Sequence, residues 1–134
     1  MIIVDTSVWI DFFADRATLQ AKYLRDTLAE NTDEIGLTDV ILTEILQGLR
    51  DDRSVQRIDE HLSVFSVLRL RDLSDFRHAA ALYRSARRRG VTIRRTSDCL
   101  IAAVCIRAAT PLLHADADFD RLATVTDLSL VNAG

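Results

Sequence analysis

The sequence predicts an α/β fold, a mostly parallel sheet with helices on both faces. Three features carry this expectation. Short apolar runs (Ile2 to Val4, Ile35 to Leu37, Leu112 and Leu113) alternate with longer amphipathic stretches. These runs do not alternate apolar with polar residues, as strands buried on both faces should not. A nearly all-apolar helical stretch (Leu100, Ile101, Ala102, Ala103, Val104) has no polar face and must lie centrally.

Taken in chain order, residues 2 to 5 read as a short buried strand. Thr6 or Ser7 then starts a helix to about Ala14, with Trp9 and Phe13 one turn apart on its inner face. A second helix spans about Thr18 to Glu30, where Leu19, Tyr23, Leu24 and Leu28 keep helical spacing, and Asn31, Thr32 and Asp33 break it. Ile35 to Thr38 is a second strand. Asp39 is expected to cap a helix through about Leu49, and Ser54 the next, with Val55, Ile58 and Leu62 on one face. Phe65 to Leu70 alternates as a strand would. A long helix follows from about Ser74 to Arg89, closed by Gly90, with an expected apolar stripe of Leu73, Phe76, Ala80 and Tyr83. Val91 to Thr96 is a polar, basic loop. Thr96 or Ser97 caps the apolar helix, Pro111 precedes a strand at Leu112 and Leu113, a short helix lies near Phe119 to Leu122, and a last strand lies near Leu128 to Val131.

The 134 residues suit one domain spanning 1–134, and a hydrophobic content of 49% supplies a core. A formal net charge of -3 argues against a bulk nucleic-acid binder. The total hides a local block: Arg84, Arg87, Arg88, Arg89, Arg94 and Arg95 lie within a dozen positions, and Lys22 is the only lysine. Guanidinium groups favour bidentate contact with phosphate or carboxylate. Cys99 and Cys105 share one helix roughly 240° apart about its axis, so they read as buried free thiols. The start of the chain carries no basic segment before its apolar run, and no stretch approaches a membrane span, which predicts a cytoplasmic protein with no membrane partner.

Four acids stand where apolar elements would otherwise run uninterrupted. Asp5 ends the first strand, Glu44 sits among Val40, Ile41, Leu42, Ile45 and Leu46, Asp98 precedes Leu100 and Ile101, and Asp116 follows Leu112 and Leu113. Ionised carboxylates are rarely buried unless paired or bound to metal. In open parallel sheets, sites form beyond the carboxyl ends of the strands, where Asp5 and Asp116 both fall. The pattern predicts one shared site for Mg²⁺ or Mn²⁺, hard cations that take oxygen ligands. Such ions activate water, orient a phosphate and stabilise a leaving oxygen. Each acid also has a plainer reading: Asp5 as a helix cap, Asp98 as a helix N-terminal charge, Glu44 as a partly exposed helix residue, and Asp116 as a turn residue with Asp118 or Asp120 functional in its place.

The segments Val4-Asp5-Thr6-Ser7-Val8-Trp9, Thr43-Glu44, Ser97-Asp98-Cys99-Leu100-Ile101-Ala102-Ala103 and Leu112-Leu113-His114-Ala115-Asp116-Ala117-Asp118-Phe119 together resemble PIN-domain ribonucleases, and in size and order the VapC toxins of toxin–antitoxin pairs. The resemblance spans essentially the whole chain. It implies a three-layer α/β/α PIN-like fold and a catalytic, metal-holding quartet of Asp5, Glu44, Asp98 and Asp116, with Asp118 as a further metal or water ligand. Thr6 or Ser7 would support the site, Thr6 more directly. The implied activity is metal-dependent cleavage of tRNA or ribosomal RNA loops, which stops translation. The implied partners are a cognate VapB-like antitoxin and a second copy in a homodimer. Arg87, Arg94, Arg95, Trp9 and Phe12 are candidates for RNA or antitoxin contact, with Phe12 expected to be the more exposed ring. His61, His78 and His114 lie on three separate elements and show no acid–base pairing.

Two other enzyme classes fit less well. A haloacid-dehalogenase-like phosphatase needs a second Asp where Ser7 stands, and a receiver domain needs a late lysine that Lys22 cannot supply. A non-catalytic PIN-like module that binds RNA or a partner is the remaining alternative, and the intact set of four acids weighs against it.

Overall fold

The computed structural model describes residues 1–134. Four strands form one sheet: β1 (Ile2–Val4), β2 (Ile35–Thr38), β3 (Ser66–Leu68) and β4 (Leu112–Leu113), in the order β3-β2-β1-β4. All three pairings are parallel. Ile3 and Val4 point to opposite faces of the sheet and are both fully buried, as are Ile35, Leu37, Leu112 and Leu113. Both faces are therefore covered, which is why these strands are continuously apolar. At Gly36 an added Cβ would meet the Ser66 carbonyl oxygen at 3.1 Å and Ile3 Cδ1 at 3.2 Å, so the close approach of strands and side chains there requires glycine.

Seven helices connect and cover the strands: α1 (Thr6–Phe13), α2 (Leu19–Glu30), α3 (Asp39–Gln47), α4 (Asp52–Leu62), α5 (Leu73–Arg88), α6 (Thr96–Arg107) and α7 (Ala117–Val125). Helix α1 packs on α2 and α3, whereas α5 packs on α6 and α7. Trp9 locks α1 to the sheet: it is 1% exposed, and its indole Nε1 donates to the Val4 carbonyl at 3.0 Å. In α6, Ile101, Ala102, Ala103 and Val104 are all fully buried, the central position its all-apolar sequence demands. Cys99 and Cys105 are buried free thiols. Gly90 closes α5 with a φ of +80°, a conformation glycine adopts without strain.

Several local expectations are corrected. Thr38, not Asp39, caps α3, its hydroxyl accepting from the Ile41 N–H at 3.1 Å. Asp39 instead accepts from the Leu70 N–H and ties α3 to the segment after β3. Asp51, three residues ahead of Ser54, caps α4. The strand expected over Phe65 to Leu70 shortens to Ser66–Leu68, and the one near Leu128 to Val131 reduces to a single bridge between Leu112 and Leu130. The buried face of α5 is Asp75, Ala79, Leu82 and Ala86, not the stripe of larger residues: Leu73 is 61% and Phe76 46% exposed. Small alanines let α5 approach α6 closely, a preference that hydrophobic size alone does not reveal. Asp75 is buried in that interface because Arg107 Nε reaches it at 3.0 Å and the Arg71 N–H at 2.6 Å.

These assignments predict opposite outcomes for two truncations. Ile101→Ala should cost about 2–5 kcal/mol of unfolding free energy. Leu73→Ala should stay within about 0.5 kcal/mol. Chemical denaturation measures both.

Candidate active site

The chain runs outward from β1 to β2 to β3, then returns to place β4 on the other side of β1. That reversal opens a crevice beyond the carboxyl ends of β1 and β4. The backbone there is tightly joined: the Asp5 N–H donates to the Leu113 carbonyl at 2.9 Å, and the Ala115 N–H to Ser7 Oγ at 3.0 Å. Asp5 follows β1, Asp116 follows β4, Asp98 lies in the first turn of α6, and Glu44 lies one turn into α3 after β2.

Asp5, Glu44, Asp98 and Arg95, with Thr6 and Ser7, line one small cavity of about 150 Å³. Two of the three acids, Asp5 and Glu44, are held by nearby donors. Ser7 gives Asp5 Oδ2 its backbone N–H at 3.0 Å and its hydroxyl at 2.6 Å. Thr6 Oγ1 donates to Glu44 Oε1 at 2.9 Å, and Ser97 Oγ to Glu44 Oε2 at 3.2 Å. Thr6 and Ser7 thus divide the supporting role between two acids. Ser97 is a contributor that sequence reading took only for a helix cap; its place beside Asp98 was the available signal. The cap position of α6 falls to Arg95, whose side chain makes no capping hydrogen bond.

Asp98 is 3% exposed, and its Oδ2 is buried without a hydrogen-bond partner. Burial pushes its carboxyl from 3.8 up to about 7; Arg95 opposes the rise, and the charges of Asp5, Asp116 and Asp118 add to it. Burial likewise raises Asp5, against the hydrogen bonds from Ser7 and with help from Glu44. Arg95 Nε stands 3.8 Å from Asp98 Oδ2, and its Nη2 makes a short contact with Asp116 Oδ2. Asp116 is linked to the cavity through this arginine and does not line it. Its Oδ1 caps α7 through the Asp118 N–H. No group of three or more His, Cys, Asp or Glu side chains is arranged, as placed, to hold an ion. The donor set is nonetheless all oxygen, and the orphaned Asp98 Oδ2 is an acceptor that a hard cation would satisfy.

Asp118, expected as a further ligand, is fully buried and paired on both oxygens, with Arg94 Nε at 3.1 Å on one and Arg121 on the other. Burial works to raise its carboxyl, but the Arg94 hydrogen bonds and charge, with Arg121, hold it below the ordinary value. Arg94 is thereby committed to a structural pair, while Arg87 stacks over Tyr83 at 5.7 Å near the far end of α5. His114 is also committed: Nδ1 accepts from the Asp116 N–H at 3.0 Å and Nε2 lies 3.1 Å from Asp120. No histidine lines the cavity.

Beside the cup, Phe12 and Phe13 line two apolar hollows of about 470 and 780 Å³ between α1 and α4. Ile10 and Glu44 line both the larger hollow and the cup, so the two adjoin. Trp9 is core, and Phe13 (39% exposed) rather than Phe12 is the more open ring. No helix of the structure is long and apolar enough to cross a membrane.

A parallel sheet with acids gathered at its strand-order reversal defines an α/β domain with an acidic site at the switch point. The chain belongs to the PIN domain family, which it matches over residues 2–125. It is 40% identical over 128 residues to Ribonuclease VapC11 of Mycobacterium tuberculosis, covering 96% of each chain. The fold is also that of VapBC2 from Rickettsia felis, bound to a DNA fragment from its promoter (TM-score 0.75, 20% identity, 98% of each chain). A toxin–antitoxin complex from Klebsiella pneumoniae shares it too (TM-score 0.73, 17% identity, 100% of this chain and 98% of that one).

The raised Asp98 carboxyl sets a pH dependence. A group raised in the fold contributes stability below its unfolded value of 3.8 and loses it as pH climbs through about 7. In chelator, unfolding free energy should therefore fall from about pH 5 to about pH 8. Asp98→Asn should flatten that slope and gain stability at the upper pH, with about 4 kcal/mol as the ceiling. Denaturant titrations at the two pH values measure it.

Proposed function

We propose that this protein is a metal-dependent endoribonuclease toxin that cuts exposed loops of tRNA or ribosomal RNA and is neutralised by a cognate VapB-like antitoxin. The observation that carries the reading is the buried Asp98 Oδ2, unpartnered in a cavity that Asp5 and Glu44 also line. The relative named Ribonuclease VapC11, at 40% identity over nearly the whole chain, supports the same activity.

Asp5, Glu44 and Asp98, with Asp116 at the rim, are the residues that would hold Mg²⁺ or Mn²⁺. Such an ion supplies water activation and neutralises charge on the phosphate and leaving oxygen. The protein's own part is positioning. Thr6 and Ser97 fix both oxygens of Glu44, and Ser7 fixes Asp5 while tying it to the loop after β4. Arg95 brings a guanidinium to the same cavity, where it can meet a phosphate oxygen. Water activated by a hard cation would attack the phosphorus without using the ribose 2′-hydroxyl, leaving a 5′-phosphate and a 3′-hydroxyl, the outcome the family resemblance also implies.

The apolar hollow at Phe12 and Phe13 adjoins the cup at Ile10 and Glu44, so an antitoxin segment laid along it would come up to the acids. The solved complexes that share the fold support a partner of this kind. A homodimer is part of the same reading.

Purified protein free of antitoxin should cleave RNA with Mg²⁺ or Mn²⁺ and stop on chelation. Asp5→Asn and Asp98→Asn should each lower the rate at least about 100-fold, and Ser7→Ala about tenfold, with circular dichroism unchanged. Confirmed metal binding without cleavage of any cellular RNA would favour the binding-module alternative.

A further inference from the structure

Arg95 breaks a local rule. It occupies the N-cap of α6, where Ser, Thr, Asp or Asn is preferred, and puts a cation at the positive end of the helix dipole. Thr96 and Ser97, both better caps, follow immediately and are not used as such. An unfavourable choice at a helix start points to another use of the side chain. Its guanidinium lines the acidic cavity, lies 3.8 Å from the unpartnered Asp98 Oδ2 and contacts Asp116. The adjacent Arg94 pairs with buried Asp118, lies 3.8 Å from Asp116 Oδ1 and does not line the cavity, so Arg95 is the arginine that serves the cup.

We propose that Arg95 is the built-in counter-ion of the acidic cup and exchanges with the divalent cation. In the free protein it bridges Asp98 and Asp116 and keeps their charges tolerable. A cation entering the cup must displace it. The side chain is 56% exposed, so it can swing outward without unpacking the core. The Asp98 contact is loose, at a distance where a hydrogen bond is not made, as suits a partner that leaves. Once released, the guanidinium stands at the mouth of the cavity, available to a phosphate of the RNA. The arginine thus competes with the metal before substrate arrives and assists substrate afterwards.

This inference rests on the metal-dependent reading above. The test is Mn²⁺ binding to the purified, antitoxin-free protein by isothermal titration calorimetry, without RNA, comparing the parent with Arg95→Met and Arg95→Lys. Removing the competing charge should tighten Mn²⁺ binding of Arg95→Met by about threefold or more, with Arg95→Lys in between. The metal-free Arg95→Met protein should also melt lower, because the acids lose their counter-ion, and recover on adding Mn²⁺. If Arg95→Met proves too unstable to purify, Arg95→Lys decides alone, since a looser point charge should still bind Mn²⁺ more tightly than the parent. Unchanged or weaker Mn²⁺ binding by these variants overturns the exchange. Failure of both parent and variants to bind Mn²⁺ overturns the metal-dependent reading itself, and the role of Arg95 with it.

Discussion

Like charges crowded at one edge of the sheet are the constraint on which the rest of the structure depends. Strand order turns back at β1, and this brings the end of β1, the loop after β4 and the start of α6 to one place. Each of them carries a carboxylate. Two of these, Asp5 and Asp98, are almost removed from water, where their charge is least tolerable. The structure answers with hydroxyls from Thr6, Ser7 and Ser97 and with the guanidinium of Arg95. One fully buried oxygen, Asp98 Oδ2, accepts no hydrogen bond. Such a site is destabilising for the free fold and useful for chemistry, the usual trade between stability and function.

The functional and structural roles of these acids are not alternatives. Asp5 caps α1 and lines the cup, and Asp116 caps α7 and meets the Arg95 guanidinium that lines it. A helix N-terminus supplies oriented N–H groups that fix a carboxylate rotamer and a positive dipole that favours its charge. Building the site from caps therefore orients the acids with the same hydrogen bonds that start the helices. Ser7 extends the economy: one hydroxyl donates to Asp5 and accepts from the Ala115 N–H, joining the loops after two neighbouring strands.

The arginines illustrate why a charge cluster in sequence is not one site in space. Arg94 and Arg95 are adjacent, yet successive residues at a helix entry point in different directions. Both approach Asp116, but Arg94 pairs with buried Asp118 and Arg95 reaches the cavity. Arg87 lies on another helix and stacks on Tyr83. Similarly, Asp116 and Asp118 are two residues apart and do opposite things. One meets the exposed guanidinium of Arg95; the other is sealed between Arg94 and Arg121, which hold its carboxyl below the ordinary value.

The sequence by itself determined the parallel α/β architecture, because continuous apolar strands and one all-apolar helix admit few arrangements that bury them. It also marked Asp5, Glu44 and Asp98, because a carboxylate inside an apolar segment is costly wherever the chain folds. What it misjudged were choices between near-equivalent neighbours: Thr38 over Asp39, Asp51 over Ser54, the alanine face of α5 over its larger residues. Those differ by small local energies that packing overrides. Only the tertiary structure decided which donor serves which acid, that Ser97 belongs to Glu44, and that Arg95 rather than Arg94 enters the cup. These partnerships join residues as many as 53 positions apart, and side-chain direction at such range is fixed by how whole elements pack, not by sequence spacing.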